Sequence, residues 1–190
     1  MNYKELIDRL ILLLLTPSKG WVEVKEEDEE KVKSAFVYPL IALCGVATFI
    51  GTWLGNGVDT FNLQLILTKC CGVFVSLFVA FYLSSHLLEY YGHRFADRPE
   101  KDFDNCRKLV GYSMSVIFVL EFFGGLFPTF LILRWILQFY VVYVVWEGAK
   151  ELMEVSEKNL LSYSLVASVI ILLVPEIMNQ IFGWLTQMVN

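Results

Sequence analysis

"EFFGGLFPTF", residues 121–130, is the stretch that decides how often this chain crosses a membrane. It interrupts an apolar region running from Leu109 to Trp146. As one helix, those roughly 38 residues would reach about 57 Å at ~1.5 Å per residue. A bilayer core of ~30 Å is crossed by ~20 residues, so the region is too long for one crossing and suits two. Gly124, Gly125 and Pro128 place chain-breaking residues at its midpoint. The reading is a hairpin of two spans, 109–126 and 129–147.

Outward from the hairpin, three further apolar regions of spanning length lie at 35–54, 65–88 and 161–182. Of the 190 residues, 56% are apolar and 18% charged, and the mean hydropathy is +0.57. A soluble domain of this length has too much surface to hide so much apolar side chain. The expected fold is therefore all-α: a polytopic membrane helix bundle with five transmembrane helices. It forms a single membrane domain over residues 1–190, with 1–34 as a cytoplasmic or interfacial N-terminal segment.

Charge placement sets the orientation. Lys4, Arg9, Lys19, Lys25, Lys31 and Lys33 precede the first span. Arg94, Arg98, Lys101, Arg107 and Lys108 lie between spans two and three, and Lys150 and Lys158 follow span four. Of the 15 Lys and Arg residues, only Lys69 and Arg134 fall on the other side. Basic residues thus alternate with the connections, which predicts a cytoplasmic N-terminus and a C-terminus on the opposite face.

The N-terminal run "LLLLTPSKGW", residues 12–21, is too short to span, and no small-residue cleavage site follows Leu15. Wound as a helix from Asn2, it sets Leu6, Ile7, Leu10, Leu13 and Leu14 toward one side, with Lys4, Glu5, Asp8 and Arg9 mostly elsewhere. This predicts an interfacial amphipathic helix that stops before Pro17, with Trp21 anchored at headgroup level. A helix tucked against the bundle is the competing reading. The acidic run 26–31, "EEDEEK", reads as a solvated elbow.

Small residues recur every four positions in span one (Ala47, Gly51, Gly55) and span two (Gly72, Ser76, Ala80, Ser84). Ridges of this kind let membrane helices approach closely, and the two spans are expected to pack on each other through them. Four ionisable residues sit near one depth in the outer half: Glu121, Arg134, Glu176 and Lys69. Charges at that depth need a partner, water or a proton. Two readings stand. Glu121 and Arg134 form an internal pair that pins the hairpin, or the cluster is a polar site for a solute, an ion or a lipid headgroup.

Enzyme chemistry finds no foothold. Cys44, Cys70, Cys71 and Cys106 show no metal or disulfide spacing, and His86 and His93 have no ligand pattern around them. No cofactor is expected. Asp102 is placed to cap the helix leading into span three. The net charge of −5 argues against nucleic acid as a partner.

Several short elements together resemble the Yip family, membrane proteins named for interaction with Ypt/Rab GTPases. Pro17 and Trp21 form a Pro-x-x-x-Trp element ahead of span one. Tyr38-Pro39-Leu40 is similar to the end of the family's Asp-Leu-x-Gly-Pro-Leu signature, and Gly111-Tyr112-Ser113-Met114 to its Gly-Tyr-Ser-Leu element. Gly148, closing span four, is similar to a glycine often found there. Ser34-Ala35-Phe36-Val37 lacks the Asp and Gly of the eukaryotic signature, and no long soluble N-terminal region precedes it, so the chain looks like the bacterial branch. The resemblance implies a non-enzymatic scaffold or adaptor of the cytoplasmic (inner) membrane. Its partners would be membrane lipids, another membrane protein or a second copy, and not a Rab-type GTPase. A small transporter or channel built on the polar cluster is the alternative.

Overall fold

A computed structural model describes residues 3–56, 62–92 and 103–189, and among these there are helices and no strands. Arg94, Arg98, Lys101, His93 and the proposed cap Asp102 lie outside the described residues. Five helical segments are long and apolar enough to cross a membrane: Glu29–Gly55, Leu63–Gly92, Phe103–Leu126, Ile132–Glu151 and Glu157–Leu185.

Two short helices precede them, α1 (Tyr3–Leu15) and α2 (Pro17–Val24). The first span starts at α3 (Glu29–Val32), widens into a π-helical turn over Lys33–Val37, and continues as α4 (Tyr38–Asn56). Pro39 explains the widening. It has no N–H to close the usual bond to Ala35, and the backbone just ahead winds one residue wider, so that Tyr38 N–H reaches back to Lys33 O. The second span is α5 (Leu63–Gly92).

The hairpin folds back where Gly124, Gly125 and Pro128 predicted. α6 (Phe103–Ser113) and α7 (Ser115–Leu126) form the third span. Phe127 then turns extended (φ −129°, ψ 97°) and a 3-10 turn, Pro128–Phe130, reverses the chain. The fourth span is interrupted, as no breaker in the sequence foretold: α8 (Leu131–Leu137) gives way to α9 (Tyr140–Glu151). At the junction Val141 N–H and Val142 N–H bond to Gln138 O and Phe139 O, three residues back, so the helix tightens for a turn instead of ending. The fifth span is α10 (Glu157–Val189), which carries Pro175 inside it.

The small-residue ridges are used, but not on each other. Gly51 of α4 meets the backbone of Gly125 in α7, where an added Cβ would overlap the Gly125 carbonyl. A Cβ on Gly125 would in turn lie 3.0 Å from Thr48 N. The Gly124-Gly125 pair therefore serves a helix crossing as well as the turn. Spans one and two touch instead at Gly45, which packs on Cys70 and Phe74. The buried residues Ser76, Ala80 and Ser84 belong to the face of α5 that meets α10, where Ser76 hydrogen-bonds Asn179 and Gly92 packs on Tyr163. The reason is geometric. Two glycine backbones can approach more closely than any ridge of Ala and Ser, and that approach claims the small face of span one.

The N-terminal helix is held by the bundle. Leu6 and Leu13 are buried against it, while Tyr3, Ile7, Ile11 and Leu15, at successive four-residue steps, form an exposed ridge on α1. The apolar side predicted from the sequence is thus divided between bundle and surroundings. Trp21 is fully buried, which corrects its expected place at headgroup level.

Candidate functional site

Two places gather the residues singled out in the sequence, one at each end of the bundle. At the end carrying α1 and α2, Pro17 occupies the first helical position of α2, where its missing N–H costs nothing. That helix delivers Trp21 one turn later. Its indole N–H donates to Val144 O of α9 at 2.9 Å. The ring covers Gly148, where a Cβ would stand 2.6 Å from Trp21 Cζ2 and 2.5 Å from Leu109 Cδ1. Tyr112 meets the indole edge-on, with centroids 5.8 Å apart at 88°, and packs on Phe36 at 4.9 Å. Gly111, one residue before, admits Val37 to within 2.9 Å of where its Cβ would be. Pro17, Trp21, Gly111, Tyr112 and Gly148 are therefore one packed node.

Tyr38, Pro39, Leu40 and Ser113 lie around it in other roles. Tyr38 hydrogen-bonds Tyr82 hydroxyl to hydroxyl and tilts against Phe78. Leu40 is core, and Ser113 is buried at the end of α6.

Charges wrap the node. Tyr112 donates its hydroxyl to Glu27 Oε2 at 2.5 Å, and Arg9 of α1 donates to the same oxygen at 2.6 Å. Glu29 pairs with Arg107 at 2.7 Å and Lys33 at 2.9 Å, with the Arg107 guanidinium 3.7 Å over the Phe103 ring. Two acids of the supposedly solvated elbow are thus turned inward. The Glu29–Lys33 contact is a local i,i+4 pair, but Arg9 and Arg107 lie far in sequence from the acids they answer, so no short pattern announces those two. Lys25 reaches Glu154 at 2.7 Å, and that hydrogen bond holds its ammonium above the usual lysine range.

At the far end, Arg134 of α8 places Nη2 2.6 Å from Glu121 Oε1 and 3.4 Å from Glu176 Oε2. Glu121, only 7% exposed, also accepts from Asn179 Nδ2 at 2.9 Å, and Asn179 is bonded in turn by Ser76. Asn179 and Ser76 were not anticipated. The signal was the i,i+3 spacing of Glu176 and Asn179, which puts both on one face of α10. Lys69 is exposed and lines a cavity of about 400 Å³ together with Glu121, Arg134 and Asn179.

Residues 11–178, a range holding every motif position together with Lys69, Glu121, Arg134 and Glu176, match the family model of the Yip1 domain. The chain belongs to the Yip1 domain family. No curated protein and no solved structure matches it. Yip1-family proteins are generally non-enzymatic membrane proteins that interact with Rab GTPases in eukaryotes. With five apolar helices, this member is an integral membrane protein.

Proposed function

We propose that this Yip1-family protein is a non-enzymatic scaffold or adaptor of a bacterial cytoplasmic membrane, organising lipids, a partner membrane protein or further copies of itself. Its N-terminus would face the cytosol, following the basic residues. One observation carries the reading. Between the Tyr112 node and the Glu121 level, the middle of the bundle is filled by fully buried apolar side chains, among them Ile41, Leu77, Phe81 and Phe118. That core favours a body that presents surfaces over one that passes solutes. The exposed ridge of α1, joined to the core through Arg9, Glu27 and Tyr112, is such a surface.

The rival reading, a transporter or channel, draws on the cavity at the far end. Purified protein in liposomes separates the two. The scaffold reading expects no flux of small ions or anions above empty vesicles, together with enrichment of a particular lipid or membrane protein on purification from native membranes. Flux that disappears in Glu121→Gln would replace it with the transport reading.

A further inference from the structure

The far-end cavity has a construction that pinning a hairpin does not require. All five spans line it, through Thr48, Lys69, Glu121, Arg134 and Asn179. Its volume of about 400 Å³ falls within the ~300–1,000 Å³ of small-molecule sites.

The hydrogen-bonding groups around it sort into committed and free. Glu121 Oε1 holds both Arg134 and Asn179, and Asn179 holds Ser76. Thr48 and Thr68 donate their hydroxyls to carbonyls of their own helices, Cys44 O at 3.0 Å and Gln64 O at 2.7 Å. Arg134 makes both of its ion pairs through Nη2, so its Nη1 and Nε have no partner among the described residues. Lys69 Nζ has none there either. Glu176 steadies the guanidinium from a separate small cleft beside Leu172 and Pro175, outside this cavity. The cavity thus holds Lys69, with no carboxylate partner among the described residues, beside Arg134, whose two carboxylates are both met through Nη2 alone.

A cation without a counter-charge, such as Lys69, is costly in a membrane span, and a planar guanidinium edge beside a mobile ammonium suits tetrahedral oxyanions. We propose that this cavity binds a phosphate ester, its anionic oxygens held by Lys69 Nζ and the free edge of Arg134. Leu65, Val73 and Phe182 provide an apolar wall for whatever carbon skeleton the phosphate carries. The assignment does not depend on the scaffold reading, since it concerns the opposite end of the bundle.

Two sources offer this chemistry, a phospholipid headgroup and a soluble phosphate ester, and the test has an arm for each. Full-length protein in detergent is titrated with phosphatidylglycerol, against a neutral glycolipid, and followed by native mass spectrometry. In parallel it is titrated with glycerol 3-phosphate by calorimetry. Binding in the first arm alone assigns a lipid headgroup, and binding in the second assigns a soluble ester. Lys69→Gln, at an exposed position, is expected to weaken whichever binding is seen by roughly tenfold, the size of one lost charge-assisted hydrogen bond. Lys69→Arg is expected to retain it, and Lys158→Gln, an exposed lysine at the other end of α10, to leave it unchanged. The proposal is overturned if neither probe binds above the neutral lipid, if Lys69→Gln binds like the parent, or if Lys158→Gln costs as much as Lys69→Gln.

Discussion

Trp21 donates its indole N–H to the backbone carbonyl of Val144, 2.9 Å away and 123 residues further along the chain. The bond ties α2 to the fourth span, and Gly148 makes room for the ring. Trp21→Phe keeps most of the packing and is expected to lose about 1 kcal/mol, the net value of one hydrogen bond. Gly148→Leu drives a side chain into the indole and into Leu109, and overpacking of this kind costs ~1–3 kcal/mol. Thermal unfolding in detergent reads both. A Gly148→Leu protein as stable as its parent would mean that the indole does not sit on that glycine.

Two glycines one helical turn apart in α4 give opposite expectations. Gly51 has no room for a Cβ beside Gly125, whereas nothing lies within 4 Å of the Cβ position at Gly55. Gly51→Ala must push α4 away from α7 and is expected to destabilise by ~1–3 kcal/mol. Gly55→Ala gains helix propensity, and its stability is expected to hold or rise by up to ~1 kcal/mol. Equal behaviour of the two variants in a denaturant titration would contradict the α4–α7 crossing.

The contrast shows what a sequence of this kind reveals. Lipid leaves a chain few options, since each crossing needs a long unbroken apolar helix and a breaker between neighbours. The five spans and the turn after Gly125 were therefore legible, and so was the meeting of Glu121 with Arg134, because both charges need a partner at the same depth. Helix partners were not. Ala47, Gly51 and Gly55 mark a close approach without saying to what, and the approach went to Gly125 of span three. Trp21 looked like an interfacial anchor because buried and headgroup tryptophans share the same local sequence. Asn179 and Ser76 carry no charge; the i,i+3 spacing of Asn179 from Glu176 was the one sign of its place, and Ser76 read only as a member of a small-residue ridge. The node around Glu27 joins residues from α1, the turn after α2 and α6, and no window along the chain contains them all.

The Glu121–Arg134 pair should behave as a unit. Removing one partner leaves the other buried and uncompensated, which costs ~3–5 kcal/mol. Arg134→Gln is accordingly expected to destabilise strongly. Glu121→Gln leaves the guanidinium with Glu176 at 3.4 Å, so its loss should be smaller. The double variant is expected to recover much of what Arg134→Gln loses, since two neutral amides need no counter-charge. Simple additivity in this double-mutant cycle would show that the two side chains are not coupled.

Arg9 decides how firmly α1 is held. Its guanidinium reaches Glu27 at 2.6 Å, and Glu27 is fixed from the core by the Tyr112 hydroxyl at 2.5 Å. Leu13, on the same helix, is fully buried against the bundle. A Leu13→Cys reporter should therefore react slowly with a water-soluble maleimide. Adding Arg9→Ala is expected to speed that reaction several-fold, because local opening of a peripheral helix governs access to its buried face. Tyr112→Phe should act in the same direction but less, since Glu27 loses one of two donors while the ring keeps its place on Phe36 and Trp21. If the labelling rate of Leu13→Cys is already fast and neither substitution changes it, α1 is held by its apolar contacts or not held at all. The charged link from α1 to the core would then have no mechanical role.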